Sequence, residues 1–275
     1  MTTIQVPGRV NQREGRSILD YVRFYPSVLQ NSIRDFDIVH ANFGLTGPFA
    51  LTQPRRPVVL SLWGSDLMGK YGRVSKTCAK YCDQVILPTE TMAPYLDTEY
   101  EIIPFGVNAE LFRPLPKSYA RNKLGWDTNK KIIFFPYSTE RPVKNYSLAK
   151  QIVDNIAVDV TLKSGGGIPH EEMPLYMNAS DVVLITSKRE SGPLTVKEAA
   201  LCNVPIISTD VGFVSDILSN VSNTFVCQNE QNLTQAVESL IRSPCQSNGR
   251  KKLRNEVGLN TMGDRILSVY KRLLR

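Results

Sequence analysis

From Asp37 onward the chain repeats one pattern, a short run rich in valine and isoleucine followed by a segment of helical length. In the first half the runs fall at 37–41, 57–62, 84–87 and 101–104, and in the second half at 131–135, 158–162, 181–185, 205–208 and 224–226. Strands that read as apolar on both faces and alternate with helices specify parallel sheets covered by helices on both sides. The expected fold class is therefore α/β, built twice over.

A seam interrupts the alternation. Residues 104–116, PFGVNAELFRPLP, hold three prolines and a glycine before a new strand-first series begins near Lys130, which is how a domain boundary reads. The division expected from this is a first domain over 1–114, a second over 115–258 and a closing helix over 259–275. That helix carries Met262, Ile266, Tyr270 and Leu273 at helical spacing, an apolar stripe that must be buried. Packing back toward the first domain would bury it.

The bulk numbers fit a globular chain. With 275 residues and 42% apolar content, roughly three quarters of the unfolded surface can be buried. The longest apolar runs are far too short to cross a bilayer core of about 30 Å. The first residues, MTTIQVPGRVNQREGRS, contain no apolar segment of signal-peptide type, so the cytoplasm is the expected location. Five scattered cysteines suit a reducing compartment. Cys78 and Cys82 would need a second Cys or His pair to hold zinc, and the chain has only two histidines. No metal is expected.

The net charge of +7 is unevenly spread: residues 1–125 carry 15 basic and 11 acidic groups, 126–249 carry 10 and 13, and 250–275 carry 8 and 2. A basic last helix is suited to anionic lipid head groups by Coulomb attraction, which suggests peripheral contact with the inner membrane face. No reader motif accompanies the charge, so nucleic acid is not an expected partner.

The chemistry concentrates after the run at 181–185. Thr186-Ser-Lys-Arg-Glu-Ser-Gly-Pro193 comes next, and Leu-Thr-Val-Lys-Glu-Ala-Ala continues as a helix. A strand, a loop of small residues and a helix start form an anion site, because the first amides of a helix are free and its dipole favours negative charge. Glu190 and Glu198 flank that site, placed to accept hydrogen bonds from sugar and ribose hydroxyls. The spacing alone proves little. Glu230 and Glu238 repeat it inside an ordinary amphipathic helix, where both are expected to face water.

Context separates the two pairs. ESGPLTVKE at 190–198, Pro205-Ile-Ile-Ser-Thr-Asp-Val-Gly212, Pro104-Phe-Gly-Val-Asn-Ala-Glu-Leu-Phe-Arg-Pro114, Arg141-Pro-Val-Lys144 and Asp37-Ile-Val-His-Ala-Asn-Phe-Gly44 together resemble the retaining GT-B glycosyltransferases that use nucleotide sugars, commonly called family four. The resemblance covers residues 35–242. It implies two Rossmann-like domains, an acceptor-side domain first and a donor-binding domain second, and transfer of a sugar from a nucleoside diphosphate to a sugar or lipid-linked hydroxyl acceptor. No separate cofactor is implied. By the same resemblance, Glu190 contacts the donor sugar, Glu198 the ribose, and Ser191, Gly192, Leu194 and Thr195 complete the donor site. Lys144 and an arginine would neutralise the diphosphate. The family's arginine has no match at Thr139 or Glu140, and Arg141 is the candidate to replace it.

The first domain departs further from the family. Where relatives carry a His-Gly motif, this chain reads Leu62-Trp63-Gly64-Ser65-Asp66, and Trp63 cannot do a histidine's acid–base work. His40, Trp63 and Asp66 are the acceptor-side candidates, at the carboxyl edge where open α/β sheets bind ligands. Relatives begin with a strand, a glycine-rich loop and a helix that have no counterpart here, so the first domain is expected to be a truncated half-sheet. The strand at 37–41 would then form an open edge, and the 1–34 segment or another chain, a second copy included, is expected to cover it.

Two other readings fail on placement. Asp35-Phe-Asp37 precedes a strand instead of ending one, unlike a metal-binding acid pair, and Ser164-Gly-Gly-Gly-Ile-Pro-His170 lacks the glycine spacing of a dinucleotide site. A non-catalytic, partner-dependent subunit that binds a nucleotide sugar remains as an alternative to the transferase.

Overall fold

The computed structural model describes residues 1–8, 16–190 and 192–275. It divides into two compact units, one of Met1–Pro104 with Asp264–Arg275 and the other of Phe105–Gly263.

In the first unit, β1 (Val39–Ala41), β2 (Val58–Ser61), β3 (Gln84–Leu87) and β4 (Glu101–Ile102) form one parallel sheet in that order. Val58, Val59 and Leu60 are fully buried, as expected of a strand covered on both faces. Helices α1 (Ile18–Ser32), α2 (Gly47–Leu51), α3 (Ser65–Met68) and α4 (Gly72–Ala79) belong to this unit. A capping box starts α1: the Asp20 amide donates to Ser17 Oγ, while the Ser17 amide donates to Asp20 Oδ2 at 2.8 Å. Phe24 and Val28 then bury one face of α1 with Val6, and the Phe24 ring meets that of Phe49 on α2 edge-on at 6.0 Å.

The second unit is larger, with the parallel order β6-β5-β7-β8-β9. Its strands are β5 (Lys131–Phe135), β6 (Val160–Ser164), β7 (Val182–Ile185), β8 (Ile206–Thr209) and β9 (Thr224–Cys227). Around them lie α5 (Lys117–Leu124), α6 (Tyr146–Asn155), α7 (Met173–Ala179), α8 (Leu194–Leu201), α9 (Val214–Leu218), α10 (Glu230–Arg242) and α11 (Gly249–Val257), and α12 (Leu259–Leu273) closes the chain. In α8 every residue from Val196 to Leu201 is buried. It is a core helix, not a surface one.

The division differs from the one expected at 114/115 and 258/259. Phe112 is fully buried in the core of the second unit, the Val107 amide donates to Val257 O at 2.7 Å, and Arg250 donates to the carbonyls of Ala109 and Phe112. The proline-rich stretch therefore packs with the residues C-terminal to it. Gly106 similarly donates to Met262 Sδ, which holds the start of α12 in the second unit. Its later residues join the first: Val269 is fully buried, and Arg272 pairs with Glu101 and donates to Gln84 Oε1 at 3.2 Å. Met262, Ile266, Tyr270 and Leu273 are only partly buried. The stripe read from the sequence missed the residue that is most enclosed.

The free edge of β1 faces the N-terminal segment. Met1–Ile4, Val28, Asn31 and Ser32 wall a cavity of about 380 Å³ together with Ile38, Val39 and His40. Among the described residues, no helix is long and apolar enough to cross a membrane.

Candidate functional site

The carboxyl ends of β5 and β7 bring the second unit's candidates together. After β5 the chain turns through 142–144, where Asn145 adopts a positive φ of 57° and so starts α6 sharply. The Thr186 hydroxyl, at the end of β7, donates to the carbonyls of Lys144 and Asn145 at 3.1 and 3.0 Å, and the Lys188 amide donates to Val143 O. The two loops are thus stitched at backbone level, which fixes where their side chains can reach.

Glu190 is the focus. Its Oε1 accepts from Lys144 Nζ at 2.5 Å, from Ser187 Oγ at 2.7 Å and from the Tyr137 hydroxyl at 3.1 Å. Lys144 Nζ also lies 4.0 Å from the centre of the Tyr137 ring, close enough for a cation–π attraction. Burial pulls the Lys144 pKa down, the Glu190 charge opposes that, and Arg141 adds to the fall. Arg141 is exposed but near enough for its charge to be felt. Burial and the Glu190 charge raise the Tyr137 pKa, so its hydroxyl stays protonated as a donor. Gly212 closes the loop from below: its φ is +62°, and a Cβ there would stand 2.8 Å from Glu190 O.

Glu198 lies elsewhere on the same loop and helix. It is buried on α8, and His170 Nε2 donates to its Oε1 at 2.9 Å. Burial raises the Glu198 pKa while His170 works to lower it. The glycine stretch that fails as a dinucleotide motif explains how His170 arrives: Cβ atoms at Gly165 and Gly166 would meet Pro136 C at 2.8 Å and Ser138 Cα at 3.0 Å, so only glycine lets this loop pass the one after β5. Next to Glu198, Lys197 is buried, its Nζ donates to Phe105 O at 2.8 Å, and burial lowers its pKa to about 8. A Cβ on Gly192 would stand 3.0 Å from the Phe105 ring. Leu194 and Thr195 open α8 after Pro193, and the Leu194 amide turns back to Gly192 O. Ser191 lies outside the described residues.

The control pair behaves differently from expectation. Glu230 accepts from Asn155 Nδ2 and Glu238 from the Ala157 amide, so both secure the end of α6 instead of facing water alone. Among the described residues, no group of three or more His, Cys, Asp and Glu is placed to hold a metal ion.

In the first unit the three candidates sit where β1 and β2 end, and each is engaged. Asp66 is buried and accepts from the amides of Gly44, Trp63 and Gly64 at 2.7, 2.8 and 2.9 Å. Burial raises its pKa against those amides. Trp63 Nε1 donates to Asn42 O at 2.8 Å. His40 Nδ1 is 2.5 Å from Tyr270 Oη and its Nε2 is 2.8 Å from Ser61 Oγ.

His40 has a measurable consequence. Burial pushes its pKa down to about 4 from 6.5, so the unfolded chain takes up a proton at a higher pH than the folded one. Stability is then whole above about pH 6.5 and is lost as pH falls toward 4, by at most roughly 3 kcal/mol for a shift of that size. Thermal unfolding at pH 7 and pH 5 should show a smaller acid loss for His40→Gln than for the parent. An equal loss would assign the effect to other groups.

Tyr137, Ser187, His170 and Lys197 escaped the sequence reading. An aromatic just past a strand reads as core, and His170 meets Glu198 only through the tertiary fold.

Known proteins resemble this chain in sequence and in fold. Residues 148–260 match the family model described as glycosyl transferases group 1. TuaC of Bacillus subtilis strain 168, ascribed to teichuronic acid biosynthesis as a glycosyltransferase, is 24% identical over 214 residues, which make up 66% of this chain and 55% of TuaC. The match thus spans little more than half of that relative. Among solved structures, sucrose-phosphate synthase from Thermosynechococcus elongatus superposes with a TM-score of 0.78 at 17% identity, covering 93% of this chain and 78% of that one. Anabaena HepE, solved with UDP and glucose, gives 0.78 at 18% identity, covering 94% and 84%. The α/β fold read from the alternating strands is the fold of these proteins, and the glycosyltransferase resemblance read from the motifs over 35–242 is matched by the family model from residue 148 onward.

Proposed function

We propose that the second unit binds a nucleoside diphosphate sugar and that the chain transfers the sugar, with retention at the anomeric carbon, to a hydroxyl acceptor. The observation that carries this is the convergence on Glu190 of a lysine and two hydroxyls, with Glu198 buried on α8, the helix that follows the Glu190 loop. Glu190 and the groups that hold it form a rigid polar cluster where the donor sugar would lie. Glu198 would accept from the ribose hydroxyls, in competition with His170. Lys144 is paired in this structure, and a diphosphate arriving beside it would draw it from Glu190, with Arg141 supplying the second cation. Two cations at a departing diphosphate stabilise developing charge by about 1.5–3 kcal/mol per charged hydrogen bond. That HepE has been solved with UDP and with glucose supports a nucleotide sugar as the ligand.

Calorimetry with UDP- and GDP-sugars, run beside a transfer and hydrolysis assay, tests the reading. Binding with turnover is expected. Glu198→Gln should weaken nucleotide binding about tenfold by removing a charged acceptor, and unchanged binding would remove Glu198 from the site.

A second reading keeps the donor site and drops the chemistry. The observation favouring it is that His40 has both ring nitrogens occupied and a depressed pKa, so it is poorly placed to act on an acceptor. Binding without turnover would select this reading.

A further inference from the structure

The first unit carries an apolar surface that its fold leaves open. On α1, Leu19, Val22, Pro26, Leu29 and Ile33 recur every three or four residues and so share one stripe. They are exposed, at 64% for Leu19, 58% for Val22, 42% for Leu29 and 80% for Ile33. The opposite face is the one spent on Phe24 and Val28. Exposed Arg23 sits beside the stripe, with Arg16 and Arg34 exposed at its two ends, and the only acid of α1, Asp20, is used in the capping box.

A second feature points the same way. Residues 69–82 around α4 hold Lys70, Arg73, Lys76 and Lys80 and no acid. Tyr71, Val74 and Tyr81 are exposed among them and Tyr95 is exposed beside Lys76, with Lys70 over the Tyr71 ring and Lys76 over that of Tyr95. Because α1 packs on α2 and α2 on α4, the aliphatic stripe and the basic, tyrosine-bearing helix belong to one layer of the first unit.

We infer that this layer docks the protein on an anionic lipid surface: the α1 stripe enters the head-group boundary, the tyrosines lie at its level, and the lysines and arginines meet lipid phosphates. The charge selects the occupant. In an antiparallel pairing of two copies through α1 the arginines would face one another, and a nucleic acid has nothing to bind an aliphatic stripe. The sequence reading put the membrane-facing charge on the last helix, whereas the cluster around α4 has no acid within it and has the apolar neighbour. The inference stands whether or not the second unit transfers sugar.

Co-sedimentation of the full chain with phosphatidylglycerol-containing vesicles and with pure phosphatidylcholine vesicles tests it. Binding to the anionic vesicles alone, weakened by salt, is expected. V22E/L29E should lose at least about tenfold in partitioning, and K70Q/K76Q/K80Q should lose the anionic preference. Both variants change surface positions, Lys76 half-buried and the others exposed, and should keep the parent unfolding midpoint. If V22E/L29E unfolds early, V22Q/L29Q repeats the test. No vesicle binding by the parent, undiminished binding by the stripe variant, or a stripe variant whose one effect is to dissociate a dimer would each overturn the inference.

Discussion

Lys144→Ala is expected to lower kcat/KM for sugar transfer by about a hundredfold or more, the scale of losing one preorganised group that meets developing charge. The structure gives two reasons for so large an effect. Lys144 is buried beside Tyr137 and 2.5 Å from Glu190, so alanine removes the cation proposed to meet the diphosphate. It also leaves Glu190 in an enclosed site, held among the described residues by the Ser187 and Tyr137 hydroxyls. Lys144→Arg should recover part of the loss, since charge returns without the fit to Tyr137. Steady-state kinetics with the preferred donor, paired with calorimetry, would separate binding from turnover. A change under threefold in a folded Lys144→Ala protein would end the assignment of Lys144 to the donor.

The largest stability effect is expected away from the site, at Arg121→Met. Arg121 is buried on α5, where Nη2 donates to Asp181 Oδ2 at 2.8 Å, Nε to Ala179 O at 2.8 Å, and Nη1 to the carbonyls of Thr128 and Lys130 at 2.8 and 2.9 Å. Asp181 accepts in turn from the Ile132 amide and from Lys117. Burial works to raise the Asp181 pKa, but Lys117, the Ile132 amide and Arg121 outweigh it and hold it below the ordinary value. Methionine would keep much of the volume and leave a buried carboxylate and several carbonyls short of donors. Removing one partner of a buried pair costs about 3–5 kcal/mol. Denaturant unfolding followed by tryptophan fluorescence, with Trp126 close to this network in sequence, would register the loss. A decrease below about 1 kcal/mol would mean that water replaces the guanidinium.

How much of this could be read in advance depended on whether the signal was local. The strands were legible because burial on both faces demands unbroken apolar runs, as in Val58–Leu60 and Val182–Ile185. The domain seam was misplaced by ten residues because prolines mark where elements stop, whereas Phe112 decides which core the stretch joins. Glu190 and Lys144 were legible as candidates through motif order, and the structure brings the two together. Their link through Tyr137 was not, since an aromatic after a strand signals packing before it signals support for a charge. The Arg121 network was invisible for a plainer reason: its acceptors are mostly backbone carbonyls, and those carry no side-chain signature.

The split of the first unit between the two ends of this sequence also sets an order of events during synthesis. Residues 264–275 supply Val269, the Tyr270 partner of His40 and the Arg272 partner of Glu101. A ribosome makes those residues after residues 105–263, so the first unit waits, unfinished, while the continuous Phe105–Gly263 unit has all its residues in hand. The usual rule that domains mature from the N-terminus onward is reversed here. The part that begins first is completed after the part that follows it, and until then His40 and Glu101 lack the partners that Tyr270 and Arg272 bring.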